Sequence, residues 1–185
     1  MVWTDVMIDI ETLGTRPGSV VVSIGAVAFC ARRGGLGPTF EVRLDIPTQQ
    51  AAGLLLDAST VIWWLNQSKQ AQSSWASEEA QRTALLPSEA LTRLSEFITE
   101  VKPEGIWANS PSFDLVLLEA VYDRARLPYP WKYWQARDVR TLGALTPLVE
   151  KVKPEVAHSA LSDAEAQAKY VIACMEALRF SSGRE

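Results

Sequence analysis

The sequence is short of histidine: His158 stands alone among 185 residues. A site built from several imidazoles, such as a His-rich zinc centre, is thereby excluded. Cysteine is nearly as scarce. Cys30 and Cys174 lie far apart, form no metal-spacing pattern, and read as two buried, reduced thiols of a cytoplasmic protein. Long apolar runs are missing too. The longest, from Val20 to Ala31, is broken by a Ser and a Gly and is too short to span a bilayer as a helix. The N-terminus reaches an acid at Asp5 without a charged-then-apolar leader, so neither a signal peptide nor a membrane partner is expected. There is no internal repeat and no low-complexity tract. Nor is there an excess of base: 22 acids against 18 bases give a net charge of −4, which taken alone disfavours a generic polyanion binder.

What remains is an ordinary globular composition, 48% apolar and 22% charged, at a length that suits one domain with a substantial core. The expected organisation is a single domain over residues 1–180 and a short C-terminal tail over residues 181–185. Charge is unevenly spread. Between Arg124 and Lys153 there are seven bases and two acids, so this segment carries +5 and the rest of the chain −9. The same segment holds Tyr129, Trp131, Tyr133 and Trp134. Cations mixed with flat rings suit single-stranded nucleic acid, whose bases stack and whose phosphates need positive charge. A solvated basic face with its rings packed on the core gives the same pattern.

Residues 2–11, 20–30 and 39–44 read as strands, the last two separated by the Gly-rich turn at Arg33-Gly34-Gly35. Their short links suggest an antiparallel meander. Residues 59–70, 88–101, 113–126 and 162–178 read as helices, with a short strand at 104–109 and another short helix from Asp138 toward Leu148. Ser162-Asp163-Ala164-Glu165 has the form of a capping box at the start of the last helix. Ala164, Ala168, Val171, Ile172, Met175 and Leu178 then share one face. Strands first and helix–strand alternation afterwards imply an α/β protein with a mixed sheet.

Three places carry chemistry. Asp9 and Glu11, two apart at the end of an apolar strand, point to one face about 7 Å apart and can ligate a hard cation. Asp114 stands at a helix start, where the helix dipole alone also favours an acid. His158 and Asp163 straddle a loop-to-helix junction. There a histidine titrating near neutrality can act as a general base on water beside a metal held by the aspartate.

Together, Asp9-Ile10-Glu11-Thr12-Leu13-Gly14, Asn109-x3-Phe113-Asp114 and His158-Ser159-Ala160-Leu161-Ser162-Asp163 resemble the three motifs of the DEDDh 3′-to-5′ exonuclease superfamily. The resemblance covers nearly the whole chain, and all five catalytic positions match. Three further stretches point to one branch: Ser23-Ile24-Gly25-Ala26-Val27, Thr60-Val61-Ile62-Trp63-Trp64-Leu65-Asn66-Gln67 and Arg137-Asp138-Val139-Arg140-Thr141-Leu142. They are similar to the phage exonuclease A and mycobacterial adenylate-preferring exoribonuclease group.

That resemblance implies a ribonuclease H-like fold: a mixed five-stranded sheet, three antiparallel strands first, with helices on both faces. It implies metal-dependent hydrolysis of phosphodiester bonds at the 3′ end of single-stranded RNA or DNA, releasing 5′-mononucleotides. Asp9 would bridge two Mg²⁺ or Mn²⁺ ions, Glu11 and Asp163 would complete one metal site, Asp114 would serve the other, and His158 would be the general base. Thr12, Leu13, Asn109, Trp64 and Arg140 are the expected substrate contacts, with Leu13 packed on the terminal base. Trp63 and Trp64 lie roughly 100° apart on a helix, so only one of them is expected to face substrate. Arg137 is a second candidate for phosphate, and Asp138 reads as a cap. Relatives also allow a homodimer. The alternatives are an oligonucleotide or dinucleotide phosphodiesterase, or a non-catalytic nucleic-acid-binding module of the same fold. The four proposed metal ligands themselves contribute −4, so two divalent ions would bring the chain near neutrality, and the acidic total does not exclude a nucleic-acid substrate.

Overall fold

The computed structural model describes residues 2–182, with side chains through Arg179. Five strands form one sheet in the order β3-β2-β1-β4-β5. β1 (Asp5–Thr12), β2 (Val21–Phe29) and β3 (Leu36–Arg43) are the expected antiparallel meander. β4 (Gly105–Ala108) and β5 (Ala136–Asp138) add to the other side of β1, both parallel to it. β1 is thus the central strand; β4 and β5 end beside Ile8, and Asp9 to Thr12 run on past them.

Helices cover both faces. α5 (Pro87–Val101) and α6 (Asp114–Ala125) pack Leu91, Leu94, Leu118 and Tyr122 against Val6, Ile8, Ile10, Ile24 and Ala26. On the opposite face α8 (Ala160–Ser182) sets Ala164, Ala168, Val171 and Cys174 on Met7, Val27 and Phe29, beside α7 (Val139–Leu145). The alternation of β1 explains this division. Val6, Ile8 and Ile10 serve one core, while Met7, Asp9 and Glu11 face α8. No helix among the described residues is long and apolar enough to cross a membrane.

Three expectations need correction. Residues 59–70 are not one helix. α2 (Ala58–Leu65) stops at Asn66, and α3 (Lys69–Ala76) and α4 (Glu78–Thr83) follow, capped by Ser68 and Ser77. A further short helix, α1 (Ile46–Ala51), is capped by Asp45. The last helix starts at Ala160, before the Ser162 box. The Ser162 hydroxyl accepts from the Val156 backbone N–H at 3.0 Å and so ties the approach loop to the first turn. At the other end α8 runs to Ser182, so the first two residues of the expected tail are helical and the other three lie outside the described residues.

Candidate active site

Asp9 and Glu11 reach the site because β1 presents alternate residues to the α8 face. Asp9 pairs with Gly25 of β2, and the register slips between Glu11 and Thr12. Such a bulge ends regular pairing and re-aims the chain where a site is built. Gly25 is a residue whose role sequence reasoning missed. A Cβ there would lie 2.2 Å from the backbone of Ala160 and Leu161. The bare backbone of Gly25 therefore lets the start of α8 approach the sheet, and this approach carries His158 and Asp163 to Asp9.

Asp114 comes from the other side of β1. The chain leaves β4 through Asn109, turns at Ser110–Phe113 and enters α6. The Ser110 N–H donates to Asp114 Oδ2 at 3.1 Å and the Asp114 N–H to the Ser110 carbonyl at 2.9 Å. Asp114 is 3% exposed. His158 sits in a left-handed turn, φ 60°, just before α8. A non-glycine residue holds that conformation only where its surroundings favour it. Here the ring stands edge-on to Trp63 and Trp64, at centroid distances of 5.1 and 5.8 Å. One helical turn beyond Asp163, Gln167 donates its amide to Asp9 Oδ1 at 2.7 Å. Gln167 is a second missed residue; its i+4 spacing from Asp163 was the available signal.

Asp9, Glu11, Asp114, His158, Asp163 and Gln167 line one cavity of about 230 Å³. Its carboxyls resist ionising. Asp9 is pushed well above the usual range by burial and by Asp114 and Glu11. Glu11 rises to about 8 through burial, Asp163 and Asp114. Asp114 rises to about 6 through burial, which outweighs backbone hydrogen bonds and the nearby Arg140 guanidinium. Asp163 is also raised by burial, against the opposing pull of His158. Acids so placed need a cation to be charged together. The donor set fits one. Asp9, Glu11 and Asp163 each offer an oxygen within 4.8 Å of the others. Asp163 Oδ2 and Gln167 Oε1 are buried acceptors without a hydrogen-bond partner. An all-oxygen set of this kind suits Mg²⁺ or Mn²⁺. Asp114 borders the same cavity without belonging to that three-oxygen group.

The other expected contacts divide. Asn109 and Arg140 line the acid cavity. Thr12 lines an adjoining cavity, though its hydroxyl is engaged with the Gly14 carbonyl at 2.6 Å. Leu13 is corrected: it is 2% exposed in the core beside α2, because the bulge turns it inward, and it offers no face to a base. Trp64 is corrected as well. Both tryptophans border the adjoining cavity, but Trp64 is 1% exposed and its indole donates to the Thr12 carbonyl at 2.9 Å, whereas Trp63 is 45% exposed and presents the open ring face. Arg137 is spent on the Trp134 and Ala136 carbonyls at 2.7 and 3.0 Å, near Asp5 at the entry ends of β1 and β5. The exposed pair Tyr133 and Trp134 precedes β5 at the same distant end. Asp138 caps α7, accepting from the Thr141 N–H at 2.7 Å. Of the basic segment, Arg140 lines the acid cavity, and Lys151 lines a neighbouring cleft that shares Arg140 with it.

These shifts give a testable pH dependence. Glu11 and Asp114 hold protons more tightly folded than unfolded, where they titrate near 4.5 and 3.8. The folded state thus binds the excess protons, and metal-free stability falls as pH rises from about 4 to about 8. A divalent ion should reverse the loss, because it binds the charged acids. At roughly 100 times its dissociation constant it adds about 2.7 kcal/mol. For a chain of this size that raises Tm by about 5–10 °C. Thermal melts with Mg²⁺ against chelator should show a larger gain at about pH 8.5 than at about pH 5.5. Equal gains would mean that these acids do not hold the ion.

The chain is similar in sequence and in fold to known proteins. The model of the 3′-5′ exoribonuclease Rv2179c-like domain matches residues 4–175. An exodeoxyribonuclease of Enterobacteria phage T4 is 25% identical over 217 aligned positions, covering 98% of this chain and 92% of that one. E. coli exonuclease I, solved with a dA13 oligonucleotide, superposes with a TM-score of 0.66 at 17% identity. The match covers 96% of this chain but only 43% of exonuclease I. The nuclease domain of 3′hExo, a DEDDh family member solved with rAMP, gives 0.64 at 12% identity, covering 94% and 92% of the two chains. The protein belongs to the 3′-5′ exoribonuclease Rv2179c-like domain family, enzymes that hydrolyse phosphodiester bonds.

Proposed function

We propose that this chain removes nucleotides from the 3′ end of single-stranded nucleic acid and releases 5′-mononucleotides. The observation that carries the reading is the convergence of four carboxylates from β1, α6 and α8 with the sole histidine in one small cavity. Asp9, Glu11, Asp114 and Asp163 would hold two Mg²⁺ or Mn²⁺ ions, which when bound supply charge stabilisation on the phosphate and the leaving oxygen. Gln167 holds Asp9 through Oδ1. His158, braced by two indole rings at the cavity wall, takes the proton of the attacking water. The bond formed is water oxygen to phosphorus; the bond broken is phosphorus to the upstream 3′-oxygen, which leaves as an alkoxide and takes up a proton from solvent. The two unpaired buried thiols fit a reducing, cytoplasmic setting.

The terminal nucleoside fits the adjoining cavity of about 460 Å³, which shares Glu11 and Phe113 with the acid site and is walled by Thr12, Thr60 and Trp63. Stacking of a base on an aromatic ring contributes about 1–3 kcal/mol. Trp63→Ala should therefore raise KM about tenfold, and should lower kcat as well because it removes one of the two rings that brace His158, both measured on a 3′-labelled oligomer. An unchanged KM would remove Trp63 from the substrate pocket.

The family is described by RNA and the phage relative by DNA, so the sugar of the substrate is read by experiment. Digestion of matched RNA and DNA oligomers with varied 3′ bases, with Mg²⁺ or Mn²⁺ and with chelator, decides it. Mononucleotides released only with metal support the proposal. Intact oligomers of both kinds under every metal would refute it.

A further inference from the structure

Resting on that reading, we infer that the nucleotide on the 5′ side of the scissile phosphate binds in the cleft between α7 and α8, with Lys151 and Arg140 on its phosphates. Three clefts adjoin the acid site, and the order of the sheet separates them. The Trp63 cavity lies beside Glu11 and Thr12, where β1 ends. A second cleft, of about 590 Å³, lies over β2 and β3 and reaches the site through His158. The third, of about 710 Å³, lies on the β4–β5 side and reaches it through Asn109, Arg140 and Gln167. β1, with Asp9 and Glu11, runs between the second and the third.

The chemistry selects the third. In an in-line displacement the attacking water and the leaving oxygen stand on opposite sides of phosphorus. His158 activates the water and faces the β2–β3 side, so the leaving 3′-oxygen and the nucleotide that carries it depart toward β4 and β5. Charge agrees. The β2–β3 cleft is walled by Glu41 and Glu79, and the Nε of its Arg43 is tied to the Ser74 carbonyl at 2.7 Å. The α7–α8 cleft has Arg140 and Lys151 and no acid in its wall. Asn109 and Gln167 line its inner end, and Val139, Val149, Val152 and Tyr170 give it an apolar wall. Just outside, Leu145 and Leu148 are 67% and 95% exposed. Two cations over an apolar wall match a nucleotide: phosphate to the cations, base to the wall.

The test compares a tetranucleotide with thymidine 5′-(p-nitrophenyl phosphate). In the ester, p-nitrophenol replaces the upstream nucleotide, so only the oligomer reaches the cleft. Lys151→Glu, at an exposed position, should lower the ratio of kcat/KM for oligomer over ester by about tenfold or more. Ala144→Trp, which fills the cleft from its exposed rim, should do the same. Lys151→Ala should make the dependence of log K on log salt shallower by about 0.7, the contribution of one phosphate on a single strand. A ratio unmoved in both variants, with the native protein cleaving both substrates, overturns the cleft and leaves the exonuclease reading intact. If the native protein cleaves neither, that reading fails. Anisotropy of a labelled tetranucleotide then decides the cleft: weaker binding by Lys151→Glu upholds it, and equal binding overturns it.

Discussion

Asp9→Asn should abolish turnover while leaving a folded protein that melts higher at alkaline pH. Asp9 faces Asp114, Glu11 and Asp163, and each raises its pKa. It also belongs to the three-oxygen group that suits a cation. An amide keeps the shape but removes the anion, so the three-oxygen group that would hold a cation loses one of its charged members. The loss of transition-state charge stabilisation should be about 4 kcal/mol or more, on the order of 10³-fold in kcat. The same change removes one of four mutually repelling acids. In chelator at about pH 8.5 the variant should therefore melt above the native chain, and the Mg²⁺-induced gain in Tm should disappear. The two signs together distinguish lost chemistry from a damaged fold. A variant that cleaves oligomers at the native rate would remove Asp9 from the site, and one that melts lower in chelator would remove the electrostatic account.

Much of this site was legible because its chemistry sits at chain junctions that the sequence marks. An apolar run ending in Asp-x-Glu, an acid at a helix start and a lone histidine before a long amphipathic helix each carry a local signal. What stayed hidden depends on contacts between elements. Trp63 and Trp64 are neighbours with the same side chain. Only the packing of α2 on the end of β1, with the Trp64 indole bound to the Thr12 carbonyl, decides which is covered. Leu13 is a substrate contact by family resemblance, but the bulge at Glu11 and Thr12 and the packing beyond it set the side chain in the core. The short helices α1, α3 and α4 have too few turns for an apolar face to show, although Asp45, Ser68 and Ser77 cap them. β5 has only three residues, too few for a period of two to be read. In the basic segment, composition mixed two destinations. Tyr133 and Trp134 precede β5 and Arg140 follows it, so a single short strand carries them to opposite ends of the sheet.

Gly25→Ala tests the least visible of these contacts, and it should damage fold and site together. The added methyl would lie 2.2 Å from the Ala160 carbonyl carbon and the Leu161 nitrogen, and 2.4 Å from the Ala160 oxygen. All three are backbone atoms, so no side-chain rotation relieves the clash. Either β2 bows away from α8 or the start of α8 lifts off the sheet. Overpacking of this kind costs about 1–3 kcal/mol, because a close-packed interior has no slack to absorb it. A Tm lower by about 2–12 °C is expected in chelator. The lifted segment carries His158 and Asp163, whereas Asp9 and Glu11 stay with β1. A displacement near 1 Å between groups that must act together costs about 10²-fold in rate. Activity should thus fall much further than the melt alone explains at a temperature where the variant is fully folded. The Mg²⁺-induced gain in Tm should shrink as well, because the Asp163 oxygen leaves the group it shares with Asp9 and Glu11. If Gly25→Ala melts lower yet keeps native activity and metal response, the approach of α8 at Gly25 supports the fold alone and does not set the site.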